Sequence, residues 1–226
     1  MNRKMNTRKI EENARHILDT LPKEITLVAA AKSRTPEEVE AVISAGVTCV
    51  GHNYVQEAER MILTFGQDVQ WHMIGHLQRN KAKKAVQLFD MIETVDSLRL
   101  AVKLDRYCAA VGKVMPVLVE INSGREARKS GVLPDQLDYL VRRLSELQSI
   151  QIQGLMTMGP RFGNPEDARP YFRATRTAFE RLATLNLPNI TMRTLSMGMS
   201  NSYLVAIEEG ANMVRIGSQI FGITAN

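Results

Sequence analysis

The sequence predicts a (β/α)8 TIM barrel, one domain over residues 1–226. Three observations point to it. Short runs of β-branched residues alternate strictly with longer stretches of helical period, and strict βα alternation builds a parallel sheet. Eight such runs occur, the number that closes a parallel sheet into a barrel. No linker, low-complexity tract or long charge block divides the 226 residues, enough for one sizeable core and short for two. A doubly wound open sheet is the alternative, but no GxGxxG turn follows the first strand.

The elements follow in order. A charged N-terminal helix, about Thr7–Leu21, precedes the first strand, Ile25–Ala31. Thr35-Pro36-Glu37-Glu38 then joins a capping box to a proline at the first helical position, and Gly46 closes that helix. Further strands are expected at Thr48–Gly51, Gln70–Gly75, Met91–Val95, Pro116–Asn122, Ile152–Met158, Thr194–Met197 and Met213–Ile216. Among the intervening helices, Ser97–Val111 and Asp135–Leu147 carry apolar residues three and four apart, and Pro165–Leu185 is a third. Ser200–Glu209 begins on Ser and Asn caps and ends at Gly210, and Gln219–Phe221 makes a last short turn.

Composition narrows the function classes. Apolar residues make up 44% of the chain, as in soluble globular proteins. The N-terminus MNRKMNTRKIEENARHI is charged throughout and lacks an apolar signal core, and no apolar run reaches membrane-span length, so a cytoplasmic protein is expected. Cys49 and Cys108 have no CxxC spacing, and Cys49 reads as a small buried hydrophobe. The net charge is +5, but the basic residues are scattered and the aromatics, 5% of the chain, do not interleave with them. This fits a solvated surface better than a nucleic-acid interface. A mild positive field also favours a small phosphorylated ligand.

Barrel active sites lie at the C-terminal ends of the strands. Lys32 follows the first strand, where Val28, Ala30 and Lys32 share one face and small alanines leave room for a flat ligand. A lysine amine in a partly apolar pocket becomes nucleophilic and suits Schiff-base formation; the competing reading is a solvated loop lysine. Asn53, after strand two, either hydrogen-bonds a ligand or caps the next helix. His72 and His76 share strand parity, but no third ligand has metal-site spacing, so no metal is expected. His72 reads as a hydrogen-bonded interior residue and His76 as polar lining. Strand seven leads into Ser196-Met197-Gly198-Met199-Ser200 and strand eight into Arg215-Ile216-Gly217-Ser218. Loops after strands seven and eight are where barrels often bind phosphate, and glycines, hydroxyls and free N–H groups suit that role, although two ordinary helix caps would look alike. Strands one and eight are neighbours in a closed barrel, so a lysine there faces the phosphate cradle. A ligand carrying both an aldehyde and a phosphate would suit both; pyridoxal 5′-phosphate is one such ligand and a sugar phosphate the competitor.

The segments LVAAAKSRTPEEV, GHNYVQEA, WHMIGHLQRNK, VDSLRLA, GLMTMGP and LSMGMSNSYLVAIEEGANMVRIGSQIFG, in this order, resemble the YggS/PROSC family of pyridoxal phosphate homeostasis proteins over nearly the whole chain. The resemblance implies a fold type III barrel similar to the N-terminal domain of alanine racemase, with pyridoxal 5′-phosphate bound covalently on Lys32. It implies a phosphate loop of Ser196, Gly198 and Ser200 after strand seven, and another of Gly217 and Ser218 after strand eight. Arg215 is implied near the pyridine nitrogen, where a cation disfavours ring protonation and weakens the ring as an electron sink. Asn53, His76 and Met156 are implied as lining. His52 stands where the family pattern GENYVQE has an acid, Ser218 where threonine is usual, and Ala31 where serine often precedes the lysine.

The resemblance further implies binding, buffering and delivery of the cofactor in vitamin B6 balance, with apo-enzymes as candidate recipients and no established catalysis. Alanine racemase completes its site with a β-rich second domain and a partner subunit that supply a tyrosine. The chain's end at Asn226, just after strand eight, leads us to expect an open site without a second base opposite Lys32, and the lack of a long coiled-coil seam leads us to expect a monomer. The alternatives are a racemase or Schiff-base aldolase of low activity, and a basic protein that contacts nucleic acid.

Overall fold

Eight parallel strands close on one another in sequence order in the computed structural model, which describes residues 3–160 and 163–222. They are β1 Thr26–Ala30, β2 Cys49–His52, β3 Gln70–Met73, β4 Met91–Val95, β5 Met115–Ile121, β6 Ile150–Thr157, β7 Ile190–Met199 and β8 Met213–Ile216. Closure is direct: β1 pairs with β8 in the register Val28↔Arg215. The predicted barrel is therefore the observed one, and the open sheet is set aside.

Helices cover the outside: α1 Arg3–Thr20, α2 Pro36–Ser44, α3 Val55–Phe65, α4 Ala82–Leu88, α5 Leu98–Ala109, α6 Leu137–Leu144, α7 Arg169–Ala183, α8 Tyr203–Glu208 and α9 Ser218–Phe221. The capping box of α2 forms as predicted, with Thr35 accepting from the Glu38 N–H and Glu38 reaching back to Thr35. The helical stretch from Pro165 starts as a 3-10 turn, Pro165–Ala168, before α7. The predicted Ser200–Glu209 helix starts later, at Tyr203, with Ser202 at its N-cap position and the Ser200 hydroxyl engaged with the loop after β8. Strand β7 begins four residues before its expected start, because its first half, Ile190–Thr194, is partly exposed and lacks a clean apolar run.

Two apolar layers result. Leu27, Ala29, Val50, Trp71 and Ile92 belong to the layer between sheet and helices. Val28, Cys49, Ile74, Met91, Leu118, Met156 and Met213 fill a second cluster inside the barrel, with Ala30 packed against it. This interior is a packed core that supports the site as a floor. Cys49 is buried in it, as expected, and burial holds its thiol above the usual range. Among the described residues no helix is long and apolar enough to cross a membrane.

Candidate functional site

Strand parity decides which side chains meet. On β1, Val28 and Ala30 face the barrel interior, while Leu27, Ala29 and Ala31 face the helices. Lys32 follows two residues beyond Ala30, in the turn before α2, and is exposed at the barrel mouth. Its Nζ stands 5.7 Å from the centroid of the Tyr54 ring. The apolar enclosure expected around the amine is thus, on the protein's side, an open mouth with one aromatic wall. The next residue, Ser33, takes φ 57, a left-handed conformation that a side chain disfavours. Its N–H donates to the Glu57 carboxylate of α3 at 3.1 Å, which ties the Lys32 turn to the neighbouring βα unit.

The loops after β7 and β8 converge beside this turn. Gly198 sits at φ 90, and a Cβ there would lie 2.7 Å from the Ala206 Cβ and 2.8 Å from the Tyr203 Cα. Only glycine lets this loop lie on α8. The Ser200 Oγ accepts from the Gly217 N–H at 3.1 Å and the Gln219 N–H at 3.4 Å. A hydroxyl and two N–H groups therefore converge at one point, and an anionic oxygen arriving there would meet the same donors. A Cβ on Gly217 would stand 3.2 Å from the Ala30 carbonyl oxygen, so this loop abuts the end of β1 two residues before Lys32. Ser218 opens α9 and is exposed. The residues present fit a ligand with a phosphate on loops seven and eight and an electrophile at Lys32.

Ser196 and Arg215 lie deeper. Ser196 is buried, and its hydroxyl donates to Glu93 at 2.7 Å and accepts from Arg215 Nη1. Arg215 Nη2 donates to the Thr157 carbonyl at 2.8 Å, and Nη1 lies 3.9 Å from Glu93 Oε2. His72 Nδ1 lies 2.8 Å from Glu93 Oε1. Ser196 is two residues before Gly198, and parity turns it inward, so it belongs to the barrel interior rather than to the phosphate loop. His72 is the hydrogen-bonded interior residue expected. Burial pushes Glu93 up, but His72, then Arg215 and Ser196, outweigh it and hold the carboxyl below its usual range. Burial opposes a proton on His72, yet Cys49 and Glu93 raise it. Because the Cys49 thiol itself stays protonated, Glu93 is the charge that keeps His72 cationic. A buried carboxylate thus sits between two cations, a pairing that holds the Arg215 guanidinium in place.

The remaining expected residues surround the mouth. Met156 is fully buried on β6, facing inward between Glu120 and Ser196 in register. Asn53 is half-buried; α3 starts after Tyr54 with no side-chain cap, which leaves Asn53 outside the capping role. His76 is exposed, 3.4 Å from Asp96 and 3.3 Å from the Ser130 hydroxyl. It lines, with Asp96, Arg79, Arg99 and Lys103, an open cavity of about 740 Å³ beside the mouth. His52 points away from the site. It is fully buried between sheet and helices, stacked on Trp71 at 5.8 Å, and neither ring nitrogen has a partner. Its replacement of the family's acid therefore leaves the mouth untouched.

The family model described as the alanine racemase N-terminal domain matches residues 5–225. The chain belongs to that family. A relative within it, a pyridoxal phosphate homeostasis protein of Aquifex aeolicus, is 39% identical over 197 residues, which cover 87% of this chain and 86% of the relative. PipY of Synechococcus elongatus has been solved with PLP bound and without it. The PLP-bound form has a TM-score of 0.86 at 33% identity, covering 94% of this chain and all of PipY. The PLP-free form has a TM-score of 0.88 at 35% identity over the same shares. Four side chains at or beneath the mouth, Tyr54, Glu57, Glu93 and Glu120, are not among those expected from the sequence. The last two carried a signal: each is the sole charge in an apolar strand, Met91–Val95 and Met115–Ile121. Glu57 carried none, since its contact with Ser33 bridges two βα units. Glu120 is buried on the inner face of β5, the strand across the closed barrel from β1.

Proposed function

We propose that this protein binds pyridoxal 5′-phosphate at the barrel mouth and holds it for vitamin B6 homeostasis, as a carrier or buffer and not as an efficient enzyme. The observation that carries the reading is the adjacency of Lys32 to the phosphate-type cradle of Ser200, Gly217 and Gln219, through the contact of Gly217 with Ala30. The cofactor supplies an aldehyde that an amine can capture reversibly and a phosphate that fixes its orientation. The protein's residues do the rest. Lys32 offers the amine, Tyr54 walls it, and Glu57 fixes its turn. The backbone N–H groups of Gly217 and Gln219 and the hydroxyls of Ser200 and Ser218 receive the phosphate. Arg215, held by Glu93 and Ser196, presents a fixed cation toward the ring. Asn53, His76 and Met156 line the space.

An open mouth suits exchange of cofactor with other proteins; apo-enzymes that use the same cofactor are the recipients in this reading. The protein acts as a cytoplasmic monomer. The names of the relatives and the PLP-bound PipY support the ligand and the homeostatic role.

The test is the visible absorbance of the protein titrated with pyridoxal 5′-phosphate, beside Lys32→Ala. A yellow band in the first, absent in the second, and trapped by borohydride as an adduct on Lys32 is expected. No band with ligand in excess overturns the reading. Deuterium exchange at the α-carbon of amino acids separates the roles, since fast exchange that depends on Lys32 would assign an enzyme.

A further inference from the structure

We propose that Glu120 is a ligand-contacting group of this site, a buried carboxyl on the inner face of β5 that meets the polar edge of the bound ring. The inference rests on the reading of the mouth as a pyridoxal 5′-phosphate site and adds a residue to it.

The geometry carries it. Glu120 is 4% exposed, and its Oε2 is buried without a hydrogen-bond partner. An unpaired buried carboxyl oxygen is costly, on the order of 1–3 kcal/mol, and persists where a ligand can satisfy it. Its place favours that use. It stands one residue before the C-terminal end of β5, on the inward face, across the barrel from β1. Register puts it in one row with Met156 on β6 and Ser196 on β7, directly under the mouth.

Its electrostatic surroundings settle the charge. From β4 and the turn after it come Glu93 and Asp96, from β3 His72, and from β8 Arg215; β6 presents no titratable side chain. Glu93 is already shared between His72, Ser196 and Arg215. Burial, and then the Asp96 charge, push the Glu120 carboxyl up, against Arg215, to about 7. Near neutrality the group is therefore held toward its protonated form. A phosphorylated ligand is anionic, so its arrival favours the protonated carboxyl, which can donate a hydrogen bond to it. The ionised form repels the ligand and weakens capture as pH rises.

Glu120→Gln tests this, because glutamine keeps the shape and the donor and cannot ionise. Affinity for pyridoxal 5′-phosphate is measured by absorbance titration from about pH 6 to about pH 8.5, in wild type and variant. The variant is expected to match wild type at the acid end and to bind at least about fivefold more tightly at the alkaline end. The ratio of affinities cancels every pH dependence that both proteins share. A ratio that stays constant across the range overturns the inference, since a purely structural role moves both ends alike. Wild type that gives a band and a Lys32 adduct while the ratio stays flat leaves the site reading standing and removes Glu120 from it. Wild type that gives no band overturns both. If Glu120→Gln does not fold, Glu120→Asp takes its place: a shift of the alkaline fall in affinity supports the inference, and an unchanged profile overturns it.

Discussion

At the scale of single residues, buried groups carry information that motif reading passes over. His52 is enclosed with both nitrogens unpaired, and burial lowers its pKa to about 4. The unfolded chain takes the proton near pH 6.5, so the stability that neutral His52 contributes is complete above about that pH and is lost as pH falls toward 4. The interval is worth about 3 kcal/mol. Glu120 has the opposite sign. Its pKa is raised to about 7 from 4.5, so its contribution is complete below about pH 4.5 and is lost as pH rises through 7. The two slopes oppose each other in the window they share. His52→Leu removes one of them and an unsatisfied polar group together. We expect a variant at least as stable as wild type at neutral pH, whose melting temperature falls less on acidification from pH 7 to about pH 5, read by thermal unfolding across pH. An unchanged slope would place the acid sensitivity elsewhere.

At the scale of elements, the site depends on how closely loops approach their neighbours. Gly198→Ala puts a methyl group at φ 90 within 2.7 Å of the Ala206 Cβ, so the loop after β7 must lift from α8. The expected cost is roughly 1–3 kcal/mol of stability. Because Ser200 rides on that loop, affinity for pyridoxal 5′-phosphate should also fall, by about tenfold for a displaced charge-assisted contact. Calorimetry and absorbance titration read the two effects. Gly217→Ala is the contrast. Its backbone is not left-handed and its nearest neighbour, the Ala30 carbonyl oxygen, is 3.2 Å away, so the stability loss should be smaller than at Gly198.

At the scale of the whole molecule, the first helix and the Lys32 loop both hold α9. Arg34, two residues after Lys32, donates to the carbonyl oxygens of Phe221 at 3.3 Å and Gly222 at 2.9 Å and lies over the Phe221 ring. Asn13 of α1 donates to the Ile220 carbonyl at 3.0 Å. Helix α9, whose first turn supplies the cradle, is thus pinned from both the first helix and the Lys32 loop. Arg34→Ala should lower the melting temperature and weaken pyridoxal 5′-phosphate binding severalfold, while a borohydride adduct on Lys32 still forms at saturating ligand. Unaltered affinity would show that α9 holds its position without the clamp.

The sequence by itself determined the barrel, its strand order, the place of Lys32 and the two glycine- and serine-bearing loops. These are local properties: β-branched runs, the Thr35–Glu38 capping box and turn glycines act within a few residues of one another. Even Val28 and Ala30 facing inward follows from a period of two. Tertiary structure decided what depends on registers between distant strands. It turned Ser196 toward Glu93 and Arg215, sent His52 outward against Trp71, joined Glu57 to Ser33, and buried Glu120 on the inner face of β5. A one-residue change in parity exchanges inside for outside, and shear sets which rows face each other. Closure of the sheet therefore chose the neighbours of each charge, and with them the chemistry of the mouth.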